Sequence, residues 1–169
     1  IKCGFGQLGR EGQLVVKTGK YTGRAAKNKY VVKTPTTERS VWWENDCNIM
    51  TPDGFEKLRL KVVAHLNKAP QLYLTERSVG AHQTHNLSAR LLTTGPSHAL
   101  FSQYMFRDQI REFDDKKDFT ILHVPDLTLD PAQDGTKSEA CIVTCFEKRI
   151  VIIVGSALVV SAAVARSGV

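Results

Sequence analysis

The chain has 169 residues, 42% hydrophobic and 24% charged, with a formal charge of +6. That length holds one domain of ordinary size with a real core, and the composition is typical of a soluble globular chain. The positive excess favours an anionic partner. A dedicated nucleic-acid binder calls for basic residues interleaved with stacking aromatics along one face, and here only Tyr21 and Tyr30 flank the basic run.

Taken in chain order, residues 13–18 and 30–33 are short strand candidates joined by a basic loop. Thr51-Pro52-Asp53 predicts a helix start, with Thr51 as N-cap, Pro52 at the first helical position and Asp53 at the positive end of the dipole. Phe55, Leu58, Val62 and Leu66 then recur at helical spacing and predict one inward stripe. Residues 71–74 and 91–94 predict strands, the second stopped by Gly95-Pro96. Ser97 is placed to cap a second helix carrying Leu100, Phe101, Tyr104 and Met105 on one side. Residues 119–124, 140–146 and 150–154 predict three further strands, and residues 125–137 the longest loop. Helices interleaved with β-rich runs predict an α/β domain with a mixed β-sheet packed with helices. The close spacing of the late strands favours antiparallel pairing there.

The most informative stretch runs from Thr18 to Tyr30. It holds Lys20, Arg24, Lys27 and Lys29, and no Asp or Glu occurs between Glu11 and Glu38. Thr22-Gly23-Arg24 at a strand-to-loop junction offers a backbone that a ligand can approach closely, and a guanidinium able to grip a carboxylate with two prongs. That equipment suits a small, multiply charged anion; the plainer reading is a solvated basic loop.

Other motifs carry less. Gly4-Phe5-Gly6-Gln7-Leu8-Gly9 spells a dinucleotide fingerprint but lacks the preceding strand and the following helix. Gly19-Lys20 is followed by Tyr21, and Leu14 stands where a P-loop needs Gly. Cys3, Cys47, Cys141 and Cys145 lack the spacing of a small disulfide scaffold, and with no signal peptide before them reduced cytosolic thiols are expected. Cys141 and Cys145 fall on one face of a strand as small buried side chains rather than a metal pair. His82 and His85 predict solvent-facing or capping roles. Residues 150–165 are apolar apart from Gly155, Ser156 and Ser161, but fall short of the roughly 20 residues of a bilayer span. A buried strand followed by an apolar tail is expected there, and no membrane association.

Thr22-Gly23-Arg24-x-x-Lys27-x-Lys29-Tyr30, then Val41-Trp42-Trp43, Asn86-Leu87-Ser88-Ala89-Arg90, Tyr104-Met105-Phe106-Arg107 and the run Lys148-Arg149-Ile150-Val151-Ile152-Ile153-Val154-Gly155 occur in order. Together they resemble the ATP-dependent phosphoenolpyruvate carboxykinases, over residues 12–155. The resemblance implies the N-terminal, substrate-side α/β domain with a mixed sheet, spanning residues 1–155, of which 1–11 do not resemble the family. It also implies a cytoplasmic, gluconeogenic enzyme that decarboxylates oxaloacetate and phosphorylates the enolate with ATP, giving phosphoenolpyruvate, CO2 and ADP. By position Arg24 is the residue that holds the substrate carboxylate and the departing CO2. No catalytic residue and no metal ligand is carried over, and Lys27 and Lys29 contribute only local potential.

The resemblance breaks after Gly155. The family continues with a Tyr, a Gly-Glu and a Lys pair that reach substrate and metal, whereas this chain has Ser156-Ala157-Leu158-Val159-Val160-Ser161. Residues 156–169 are thus an apolar tail departing from the family. The P-loop, metal-binding residues and adenine site belong to a C-terminal nucleotide-binding domain that this sequence lacks. ATP and a divalent metal (Mg²⁺ or Mn²⁺) are implied for the full-length enzyme and not expected on this chain alone, which is then inactive by itself. The alternatives are a non-catalytic anion-binding fragment of the same fold and, third, a basic nucleic-acid-binding domain; the carboxykinase resemblance implies no nucleic-acid partner.

Overall fold

The computed structural model describes residues 5–16, 18, 20–23, 26–43 and 47–156. Two short strands, β1 (Gly6–Leu8) and β2 (Leu14–Val16), pair as an antiparallel hairpin. The strand expected over 13–18 is shortened to these three residues, and Gly6 of the apparent dinucleotide motif opens a strand instead of a phosphate-binding turn. A 3-10 turn, Ala26–Asn28, then leads into the main body: β3 (Lys29–Val32), α1 (Pro35–Ser40), β4 (Asn48–Met50), α2 (Pro52–Lys68), β5 (Tyr73–Val79), β6 (Leu87–Thr93), α3 (Pro96–Met105), β7 (Phe119–Val124), α4 (Pro131–Asp134), β8 (Cys141–Cys145) and β9 (Ile150–Val154).

Seven of these strands form one mixed sheet in the order β4-β3-β8-β9-β7-β6-β5. β9, β7 and β6 run parallel to one another at its centre, while β8 and β5 flank them antiparallel. The expected antiparallel pairing of the late strands holds for β8 with β9. β7 instead lies on the other side of β9, parallel to it, because the 125–140 connection is long enough for a crossover.

The central strands are covered on both faces, which is why they read as nearly continuous apolar runs. Leu122, Val124, Ile152 and Val154 face α2 and join Phe55, Leu58, Val62 and Leu66 in one core. Phe119, Ile121, Val151 and Ile153 face the other way, where Met105 and Phe106 pack against them. Cys141 and Cys145 are both buried in the α2-side core as small free thiols, on one strand face as expected. Burial, with a further push from the Asp134 carboxylate, moves the Cys141 thiol up to about 12, so it is inert.

α2 starts as the sequence predicts: Thr51 Oγ1 accepts from Gly54 N at 3.1 Å and Pro52 occupies the first turn. α3 differs. Its N-cap is Gly95, with no side-chain capping bond, and its inward face is Ala99 and Ser102 rather than the large apolar residues. Leu100, Phe101 and Tyr104 are exposed. Ser102 Oγ lies 2.8 Å from Thr75 Oγ1 on β5, so small side chains let the helix approach the sheet closely and turn the bulky ones outward. The strands expected over 71–74 and 91–94 are really longer and shifted, because β5 and β6 pair over seven residues each. α4 interrupts the expected 125–137 loop, capped by Asp130 and closed by Gly135 in the left-handed region.

His82 acts as a turn cap, its Nδ1 accepting from Thr84 N and His85 N, and both His82 and His85 are exposed. Among the described residues no helix is long and apolar enough to cross a membrane. The tail 157–169 lies outside the described residues.

Candidate anion site at the carboxyl ends of the central strands

The carboxyl ends of β6, β7 and β9 meet at one end of the sheet, together with the amino ends of β3 and β8 and of α3. In open α/β sheets this crevice beyond the parallel carboxyl ends is where ligands bind. The basic loop arrives here. Tyr21 forms a parallel bridge with Ser156, just past β9, and Ser156 Oγ donates to the Tyr21 carbonyl at 3.2 Å. On the far side of the loop, Asn48 Nδ2 donates to the carbonyls of Lys27 and Lys29 at 2.7 and 2.8 Å. The loop is therefore pinned at both ends, by β9 and by β4.

Within it Thr22 and Gly23 are exposed, and a methyl group added at Gly23 meets nothing within 4 Å among the described residues. Space is open where a ligand would approach the backbone. Arg24, the expected carboxylate-binding residue, lies outside the described residues; the chain is described up to Gly23 and again from Ala26. Lys27 is exposed in the 3-10 turn and Lys29 is half-buried at the start of β3.

The fold corrects one expectation about charge. The loop is free of acid in sequence, but Glu139 comes from far along the chain to meet it. Lys20 Nζ lies 3.1 Å from Glu139 Oε2, and the Tyr21 hydroxyl donates to the same oxygen at 3.2 Å. The hydrogen bond from Lys20, then that from Tyr21, holds the Glu139 carboxyl below its ordinary range. Lys20 is thus partnered inside the protein. Gly155 permits this arrangement: its backbone is in the left-handed region, and a Cβ there would stand 3.2 Å from the carbonyl oxygens of Glu139 and Leu127.

Beneath the loop lies a set of polar side chains that sequence reasoning missed. His123, on β7, is fully buried. Its Nε2 is 2.9 Å from the Ser156 carbonyl, which can only accept, so Nε2 carries the proton. Nδ1 then accepts from Thr93 Oγ1 at 2.8 Å, and Thr93 Oγ1 in turn accepts from Gly95 N at 3.1 Å. Burial pulls the His123 ring down to about 3, so it is neutral at physiological pH. His98 of α3 packs edge-on against it, ring centroids 4.6 Å apart. Nearby Asp126 accepts from Thr94 Oγ1 at 2.5 Å and lies 2.8 Å from His65 Nε2. Burial opposes ionisation of Asp126, but these two partners hold its carboxyl below the usual range.

The family model described as phosphoenolpyruvate carboxykinase matches residues 1–160. The chain belongs to the phosphoenolpyruvate carboxykinase family. Relatives named phosphoenolpyruvate carboxykinase (ATP) include that of Ruegeria pomeroyi, 35% identical over 92% of this chain. Those of Thermus thermophilus and Geobacillus thermodenitrificans are each 37% identical, over 90% and 89% of the chain. The chain spans only 29–30% of the length of these relatives. The observed mixed α/β sheet is the fold expected of the carboxykinase N-terminal domain. Among its described residues no group of three or more His, Cys, Asp or Glu could hold a metal ion, and the sequence carries no P-loop.

Proposed function

We propose that this chain is the substrate-side part of an ATP-dependent phosphoenolpyruvate carboxykinase, a cytoplasmic enzyme converting oxaloacetate and ATP to phosphoenolpyruvate, CO2 and ADP. The observation that supports this reading is the tether between Tyr21 and Ser156, which brings the exposed Thr22 and Gly23, the two residues that precede Arg24 in sequence, to the carboxyl ends of β7 and β9. Residues 1–155 are the domain and 156–169 the segment that departs from it. Arg24 grips a substrate carboxylate as a fork, orienting it and complementing its charge without transferring a proton. Nucleotide and divalent metal are held by residues beyond this chain, so no step through them is assigned to it. By itself the chain is an anion-binding module. The second reading is a non-catalytic anion-binding fragment of the same fold.

Calorimetric titration with oxalate, a dicarboxylate stand-in for the substrate, tests the site. Arg24→Lys should weaken oxalate about ten- to a hundredfold despite keeping the charge, because an ammonium cannot reproduce the fork. Lys27→Ala should cost much less and only through salt-screened attraction. Equal, mild losses that both vanish at high salt overturn the carboxylate site. A coupled assay with oxaloacetate, ATP, Mg²⁺ and Mn²⁺ should show no turnover by the chain alone; ATP-dependent turnover overturns the placement of the nucleotide site elsewhere.

A further inference from the structure

Three buried polar side chains link the centre of the sheet to the basic loop. Thr93 and His123 are fully buried and Ser156 nearly so. Read outward, Thr93 Oγ1–H donates to His123 Nδ1, His123 Nε2–H donates to the Ser156 carbonyl, and Ser156 Oγ–H donates to the Tyr21 carbonyl. Each donor and acceptor has one chemically permitted sense, so the relay has a single direction. A hydrocarbon side chain would fill the volume of His123 in a core made of Ile, Val and Leu. What the imidazole adds is a fixed donor to one backbone carbonyl, at the residue on which the loop rests.

We propose that His123 is a positioning residue for the anion loop, holding Ser156, and through it Tyr21, in the register that brings Thr22 and Gly23 to the carboxyl ends of the central strands. The proposal rests on the anion-site reading for the ligand, and on the relay alone for the loop. His98 caps the outer side of the ring, and Gly95, whose added Cβ would stand 2.7 Å from the His98 ring, leaves room for that contact. The relay therefore sits between two elements, β6 with the start of α3 on one side and β9 on the other.

Two readouts on the full chain separate the relay from the ligand. Limited trypsin digestion reports the loop through cleavage after Lys20, Arg24, Lys27 and Lys29, with cleavage after Lys68 at the exposed end of α2 as the internal control. Oxalate titration reports the site. Ser156→Ala and His123→Leu should each accelerate loop cleavage about fivefold over the control, the population shift expected on losing one hydrogen bond. Both should weaken oxalate binding by a similar factor, while His123→Gln, whose amide keeps an N–H for the Ser156 carbonyl, stays within about twofold of the unaltered chain. Ser156→Ala, on the loop side of the relay, carries the test if His123→Leu does not fold. Loop cleavage that is unchanged in Ser156→Ala, or that rises only in step with the control, overturns the proposal. A chain whose loop responds as described but which never binds oxalate supports the relay and overturns the anion-site reading instead.

Discussion

Two carboxylate–cation clusters stand at opposite ends of the same strands, and they are built for different ends. At the amino end of β7, Asp118 has a side chain with no exposure and accepts four bonds: from Arg111 Nη1 and Nη2 at 2.6 and 2.5 Å, from Ser88 N at 2.7 Å and from Asp114 N at 2.8 Å. At the other end Glu139 is half exposed and is met by Lys20, an even more exposed side chain. Similar charges therefore have different consequences. A buried, fully bonded carboxylate locks the 107–118 segment to β6, whereas an exposed pair is weakly held and can be exchanged for a ligand. Glu112, Asp114, Asp115 and Asp118 lie close together in sequence around Lys116 and Lys117, yet Asp118 is buried while Asp115 is exposed.

The comparison is broken most severely at Asp118. Burial alone would raise its pKa, but the Arg111 fork and the two backbone N–H donors hold it below the ordinary carboxylate range. Asp118→Ala strands a guanidinium and two amides and should cost about 3 kcal/mol, the low end for a broken buried pair because Arg111 is itself one-third exposed. Urea unfolding measures it; a loss no larger than that of Glu139→Gln would mean that burial does not distinguish the two ends. Because the folded pKa is depressed, the stabilisation from ionised Asp118 is present above the unfolded value near 4 and disappears as pH falls through the folded one.

A second prediction uses the relay. His123 has a folded pKa of about 3 against an ordinary value of 6.5. Between those values the unfolded chain binds the extra proton, so stability rises with pH across that window by about 1.4 kcal/mol per pH unit. Above pH 6.5 the contribution is complete; below it the contribution is progressively lost. His98, also lowered by burial, adds a slope of the same sign. Thermal and urea unfolding between pH 7 and 5 should therefore show a steep acid loss that His123→Gln flattens and His98 partly retains. An unaltered slope in His123→Gln would place a protonated ring in the folded core and contradict the neutral tautomer.

What could be read from sequence follows the same division. Regular, self-sufficient signals were legible: the Thr51-Pro52 start and four-residue stripe of α2, and the β-branched runs of β7 and β9, whose bounds agree with expectation. α1 escaped notice because Pro35–Ser40 carries no apolar stripe; it is held by a capping box between Thr34 and Thr37, with Thr37 Oγ1 donating to the Val32 carbonyl. α3 was placed but rotated, since periodicity cannot tell a large apolar side from the small side, Ala99 and Ser102, that lets a helix dock closely. The basic loop was legible as a motif, but its supports were not. Ser156, His123, Glu139 and Asn48 are scattered along the chain, and nothing local marks them. Only the parallel crossover that brings β9 beside β7 puts them under the loop.

The smallest effect should come from the exposed end. Glu139 draws charge away from the loop by partnering Lys20 and the Tyr21 hydroxyl. Glu139→Gln removes a negative charge beside the anion site and releases the Lys20 ammonium, while its amide oxygen can still accept from Tyr21. Oxalate should then bind about two- to fivefold more tightly at low salt, the range of an exposed ion pair. The gain should shrink as ionic strength rises, since both groups are open to solvent and the Debye length falls to about 8 Å near 0.15 M. Thermal stability should be almost unchanged. Weaker oxalate binding in Glu139→Gln, at any salt concentration, would show that Glu139 orders the loop rather than competing with its ligand. The two carboxylates at opposite ends of the sheet would then differ in degree of burial and not in kind.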